Sequence, residues 1–226
     1  MKRATNAKSP APPGFTLVEI AVVMVVLGLL MGGMLLPLSA ARDISEGRAA
    51  EAALREIRDA LLGYAAIHGV LPCPDTGQDA AAPEYGRADV SCAQPQAEGF
   101  LPFKTLGLTE SDPWGMRWRY RVDANFANAA APITLATPLG GASGGEAGVL
   151  RVRNHEGAYL TTADERPVAI FYSIGPNARP DGRNDSFEAI GGDYESGTPT
   201  PEFDDRLHWL ARPLLFNRLI AAGRAL

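Results

Sequence analysis

Four groups of residues in this sequence have types and spacings that could do chemistry. Glu19 is a single carboxylate inside the otherwise apolar run Phe15–Leu36. Cys73 and Cys92 are the only cysteines. Gly141-Ala142-Ser143-Gly144-Gly145 fits the G-x-S-x-G pattern of a serine nucleophile, with Asp204 and His208 following in hydrolase order. Between Gly175 and Asp205 the chain is turn-rich and acidic, with Asp181, Asp185, Glu188, Asp193, Glu195, Glu202, Asp204 and Asp205. Oxygen-rich irregular loops of this kind are how proteins hold Ca²⁺.

Each group has a plainer explanation to set beside the chemical one. A nucleophile elbow needs a strand before its serine and a helix after it. Ser143 instead sits among Gly140, Gly141, Gly144, Gly145 and Gly148, with a strand pattern following, which suits a glycine-rich turn. The acidic stretch is not an EF-hand, because Arg183 and Ser186 stand where a carboxylate or amide and the required glycine belong. A solvated polar loop accounts for it equally. His68, His155 and His208 are too scattered to suggest a metal site, and Lys104 has no phosphate-binding glycine loop before it.

The apolar run sets the topology. Phe15–Leu36 holds 22 residues with one charge, and as a helix it would span about 33 Å, enough for a bilayer core of roughly 30 Å. Lys2, Arg3 and Lys8 precede it without a single acid, so the N-terminus belongs in the cytoplasm and the chain after Leu36 outside. The run is too long for an ordinary signal-peptide core, and Gly32-Gly33 followed by Pro37 make a poor cleavage site. Outside that membrane the two cysteines should pair, closing a loop worth about 3 kcal/mol by the chain-entropy estimate. Two cysteines without clustered histidines do not make a zinc site.

A carboxylate at that depth needs a partner. If the chain is cut between Gly14 and Phe15, the new α-amino group lies one helical turn from Glu19, roughly 6 Å along the axis. The alternative is a carboxylate snorkelling to the interface near the helix end. Gly14-Phe15-Thr16-Leu17-Val18-Glu19 before an unbroken apolar run resembles the prepilin-peptidase motif of type IV pilins and type II secretion pseudopilins. The resemblance implies cleavage after Gly14, N-methylation of Phe15, and Glu19 as the contact that registers a new subunit in a filament. A plain signal anchor is the competing reading.

The elements that must position these groups follow from periodicity. Leu54, Ile57, Leu61 and Tyr64 mark one stripe of an amphipathic helix, with Glu51/Arg55 and Arg55/Asp59 pairs on the exposed side. Gly69 and Pro72 stop it. One long helix is expected from Phe15 to His68, disturbed at Pro37. Residues 70–111 read as loops. Met116–Val122 alternates, predicting a strand with one buried face and a face of three arginines, Arg117, Arg119 and Arg121. Ile133–Thr137, Val149–Arg153 and Val168–Ile174 are further strand candidates, the last apolar enough to be central. Pro213 opens an added C-terminal helix, Pro213–Ala222. The expected class is α+β and pilin-like, a long N-terminal helix packed on an antiparallel β-meander. The expected organisation is a leader at 1–14, a transmembrane and filament-core half-helix at 15–36, an amphipathic half-helix at 37–69 and a globular domain at 70–226.

A second resemblance concerns the C-terminal half. Asp112-Pro113-Trp114-Gly115 with Tyr120, then Ser173-Ile174-Gly175-Pro176-Asn177, then Asp204-Asp205 before Trp209, is similar to the major pseudopilin of type II secretion. That resemblance implies calcium in the matching loop, with Asn177, Asp204 and Asp205 as candidate ligands. Asn177 stands where the family has aspartate, the loop to Asp204 is longer, and the cysteine-bearing insertion and added helix are unusual, which favours a minor pilin or pilin-like relative.

With 226 residues, a net charge of −5 and 46% hydrophobic content, disorder and collagen are excluded, and no basic patch argues for nucleic acid. The functional expectation is a non-enzymatic subunit of a type IV pilus or type II secretion pseudopilus. It would lie in a bacterial inner membrane as a single pass with a periplasmic C-terminal domain, and then in the filament. The partners implied are a prepilin peptidase, other pilin or pseudopilin subunits, the inner-membrane assembly platform and membrane lipid. A filament-tip adhesin or binding module is the alternative, and a membrane-anchored serine hydrolase the least favoured one.

Overall fold

The structure, a computed structural model, describes residues 14–92, 98–140, 149–186 and 192–226, without the side chains of 31–41 and 185–186. The chain divides into two units, Met1–Ser45 and Glu46–Leu226. The division falls inside the first helix, α1 (Leu17–His68), whose assignment continues through Pro37.

In the first unit the described apolar side chains of α1 are exposed, among them Leu17, Val18, Met24 and Leu29. Among the described residues no helix is long and apolar enough to cross a membrane. The fully described part of the apolar run ends at Leu30, and its continuation over 31–36 is in the region without described side chains.

In the second unit the predicted stripe is the one that is buried. Ala50, Leu54, Ile57, Leu61 and Ala65, at steps of four, three, four and four, all lie at 2% exposure or less, the spacing of one helix face. Tyr64 falls beside that face, half-buried, and stacks on His68 at 3.9 Å. The helix ends at Gly69, whose φ of 77° is the left-handed conformation favoured just past a helix C-terminus. The Arg224 guanidinium then donates to the carbonyls of Ala66 and Ile67, two acceptors that the last turn leaves without helical partners.

The stripe packs on a four-stranded antiparallel sheet of order β1-β2-β4-β6. Its strands are β1 (Gly99–Phe100), β2 (Arg119–Val122), β4 (Pro167–Ser173) and β6 (Arg206–Ala211). β4 is central and buried along its whole length, as its apolar sequence predicts. Tyr120, Val122, Ala169, Phe171 and Leu210 face α1, joined by Leu215 and Leu219 of α3 (Arg212–Ala221). Between β1 and β2 lies a one-turn helix, α2 (Phe103–Leu106).

Four expectations are corrected. The strand forecast over Met116–Val122 begins only at Arg119. Asp112 accepts hydrogen bonds from the N–H groups of Trp114 (3.0 Å) and Met116 (2.9 Å) and folds that stretch into a turn. The arginine face is not solvated. Arg121 is 2% exposed, because a two-stranded parallel sheet, β3 (Arg151–Arg153) with β5 (Asp193–Glu195), contributes Val152 and Tyr194 to a second core over that face. Ile133–Thr137 is no strand. Its Ile133 is a buried plug whose N–H donates to Gly69 O, and Thr134–Thr137 closes a turn. Finally, β3 leaves the main sheet and β6 completes it, so the antiparallel sheet is not a simple meander.

Candidate functional site

The N-terminal site is built by the helix start. Thr16 precedes α1, and its hydroxyl oxygen accepts from the Glu19 N–H at 3.2 Å. Glu19 Oε2 in turn accepts from the Thr16 N–H and the Thr16 hydroxyl, each at 3.4 Å. This is a capping box, in which two donors left over at a helix start are satisfied reciprocally. The T-x-x-E spacing that signals it was readable in the sequence. Phe15 is 83% exposed, and a Cβ on Gly14 would meet no heavy atom within 4 Å.

The loop region after α1 is held by covalent and ionic ties. Cys73 and Cys92 form a disulfide with a Cα–Cα distance of 5.4 Å. Asp75, 1% exposed, accepts from the N–H groups of Gly77 (2.8 Å) and Gly86 (2.7 Å) and from the Arg117 guanidinium (2.5 Å). That guanidinium also lies over the rings of Phe100 (3.8 Å) and Tyr85 (4.3 Å), so the ion pair is both hydrogen-bonded and stacked.

A third constellation sits between β4 and β6. One carboxylate oxygen from each of Asp181, Asp204 and Asp205 lies within 4.8 Å of the others. The Asp205 carboxylate, 1% exposed, accepts from Asp181 N–H (2.9 Å) and Asn184 Nδ2 (2.8 Å) through Oδ2. Asp204 Oδ1 and Asp205 Oδ1 are buried and have no hydrogen-bond partner. Burial pushes Asp205 up to about 7, opposed by the two bonds to Oδ2 and reinforced by the neighbouring Asp181 and Asp204 charges. Asp204 is also raised, first by burial. Gly175 is required here, because its φ is 67° and a Cβ would collide with Asp204 Oδ1. The segments quoted for the second resemblance do meet: Ser173 Oγ donates to Asp112 Oδ2 at 2.5 Å and accepts from Gly175 N–H at 3.1 Å.

Of the three residues named from the resemblance, the structure places Asp204 and Asp205 together and sets Asn177 differently. Asn177 Nδ2 donates to both Asp181 oxygens at 3.0 Å, while its Oδ1 accepts from Arg179 N–H at 2.7 Å. Sequence reasoning named Asp181 only as one of eight acidic residues of the stretch and missed Asn184, and no spacing rule singles them out from the other polar residues of a long loop. The donor set, two buried unpartnered carboxylate oxygens and a third carboxylate beside them, fits a hard divalent cation.

The hydrolase constellation does not form among the described residues. Ser143 lies outside them, and His208 Nε2 is bonded to Glu51 Oε2 at 2.9 Å, across from α1 rather than to Asp204.

Residues 13–35 match the family model described as the prokaryotic N-terminal methylation motif. The chain carries that motif. It is the signature of type IV pilins and pseudopilins, and it implies processing by a prepilin peptidase, assembly with other pilin subunits, and a membrane-anchored and then filamentous location. No curated protein and no solved structure matches the chain.

Proposed function

We propose that the chain is a pilin-like subunit, a minor pilin or pseudopilin, cleaved after Gly14, N-methylated on Phe15 and inserted by the first half of α1 into a type IV pilus or type II secretion pseudopilus. One observation carries this reading. The methylation motif at 13–35 coincides with the first part of α1, where the described apolar side chains from Leu17 to Leu30 are all exposed and the one carboxylate, Glu19, sits in the first turn. Exposed apolar surface of that extent needs a covering, which lipid supplies before assembly and neighbouring helices supply in a filament.

In this reading the α-amino group of Phe15 and the carboxylate of Glu19 neutralise each other, within one subunit or between neighbours. The chain crosses the inner membrane once, its C-terminal unit faces the periplasm, and the assembly platform adds it to other subunits. The role is structural rather than catalytic. His208 serves to tie β6 to α1 through Glu51, which Arg206 also approaches at 3.5 Å.

Mass spectrometry of the mature protein tests the proposal. The expected polypeptide begins at Phe15 with one added methyl group. A mature chain that begins at Met1, or beyond Leu36, overturns it.

A further inference from the structure

We propose that the outer edge of β6 is a docking site for an extended acidic segment of another polypeptide, which adds antiparallel as a fifth strand of the main sheet. The inference stands on the C-terminal unit and does not depend on the cleavage or assembly reading.

The direction of each backbone group on β6 follows from the pairing of β4. Asp123 N–H donates to Val168 O at 2.9 Å, and Arg121 and Arg119 pair with Ile170 and Tyr172. Alternate residues of a central strand bond to opposite neighbours, so Val168, Ile170 and Tyr172 bond to β2, while Ala169, Phe171 and Ser173 bond to β6. Their partners there are Leu210, His208 and Arg206. The N–H and C=O groups of Leu207 and Trp209, and the N–H of Ala211, therefore point out from the sheet edge. Arg212 N–H, donating to Arg166 O at 3.2 Å, keeps the same alternation. Among the described residues nothing bonds to the outward groups.

An edge of that kind is a template for strand addition unless it is blunted. The opposite edge of the sheet is blunted, since β1 has two residues and is bridged by Asp75. β6 has six residues, with no proline or lysine, and the register shift beside it lies in β4.

Charge selects the occupant. Arg206 and Arg212 bracket the edge, and the Nε of each is buried without a hydrogen-bond partner. Among the described residues Arg206 has one ion-pair partner, Glu51 at 3.5 Å, which it shares with His208 (2.9 Å). Arg212 has none, its guanidinium donating to Leu135 O at 2.8 Å. A second copy of the chain fits badly. In the antiparallel register that uses every outward N–H, Trp209 meets its own equivalent and Arg206 lies opposite Arg212, and like charges directly opposite destabilise. A segment with carboxylates at those two places satisfies both arginines. Apolar residues between them continue the face of Leu207 and Trp209 over the second core.

The test uses the full chain in a non-ionic detergent and a labelled, end-capped peptide, Glu-Val-Thr-Val-Thr-Val-Glu, against the same peptide with lysine in place of both glutamates. The acidic peptide should bind about tenfold more tightly or better. On binding, amide exchange should slow at Leu207 and Trp209 and stay unchanged at His208 and Leu210, which already bond to β4. Ala211→Pro is the deciding variant. Ala211 has a φ of −72°, which proline adopts, and its N–H points outward, so the Tm should hold while affinity falls about tenfold. Arg212→Glu leaves the strand backbone untouched and should shrink the acidic peptide's advantage to about threefold or less. Equal binding of both peptides, or none by the acidic one, overturns the proposal. So does binding that survives Ala211→Pro, that slows exchange elsewhere instead, or that keeps its full charge preference in Arg212→Glu. A dimer of the peptide-free chain with the Leu207 and Trp209 amides protected would assign the edge to a second copy and likewise overturn it.

Discussion

Thr16 and Glu19 close a reciprocal pair at the head of α1, the Thr16 hydroxyl accepting from the Glu19 N–H at 3.2 Å and Glu19 Oε2 accepting from the Thr16 N–H at 3.4 Å. The carboxylate proposed to meet a neighbouring subunit is thus already engaged within its own chain, by long bonds that are easily exchanged. Glu19→Ala should still insert and fold its C-terminal unit yet fail to enter filaments. Thr16→Val removes the hydroxyl but keeps the carboxylate and should still assemble. Comparing the two variants in sheared filament fractions checks the assignment, and normal incorporation of Glu19→Ala would remove it.

Glu98 gives a pH prediction. It is 8% exposed, and it accepts from the hydroxyls of Tyr172 (2.7 Å) and Tyr194 (2.6 Å). Burial pushes it up to about 7, opposed by those two bonds and by the Arg119 and Arg121 charges. The folded form therefore holds its proton where the unfolded chain has lost it. Its contribution is full below the unfolded value of 4.5 and lost as pH rises through about 7, roughly 3 kcal/mol in all. Glu98→Gln should flatten the fall in stability across that window relative to the parent in denaturant titrations, and parallel curves would contradict the argument.

The disulfide prediction concerns stability. Cys73 and Cys92 are 19 residues apart, and opening that loop in Cys73→Ser or Cys92→Ser should cost about 3 kcal/mol. Reductant should lower the parent's melting temperature towards that of the variants and leave theirs unchanged. Free thiols on the exported protein would contradict the pairing.

Arg224 makes a local prediction. Its bonds to the Ala66 and Ile67 carbonyls close the end of α1, so Arg224→Ala should speed amide exchange in the last turn of that helix several-fold. Exchange around Leu54, in the buried stripe, should hardly change, and a uniform acceleration would show that the effect is not confined to the cap.

The legible parts of this molecule were those with long repeats of one signal. Leu54, Ile57 and Leu61 announced the buried helix face, Gly69 its end, and Val168–Ile174 the central strand, because each pattern runs for a full element. The three arginines misled because alternation says that a strand has two faces and not which of them stays wet. Arg121 is covered by β3, which the candidate Val149–Arg153 foretold, and by β5, a strand of three residues far away in sequence and too short for a period to register. The acidic loop was legible as acidic, but the pairing of Asp181 with Asp204 and Asp205 depends on how a long irregular segment folds back, which no local preference encodes.

Because β4 divides two cores, neither can close early. Leu54, Ile57 and Leu61 leave the ribosome long before Phe171 and Leu210, the side chains that cover them. The new chain must carry a greasy stripe without its lid until almost the last strand arrives, so its folding is slow to complete and open to capture by holdases.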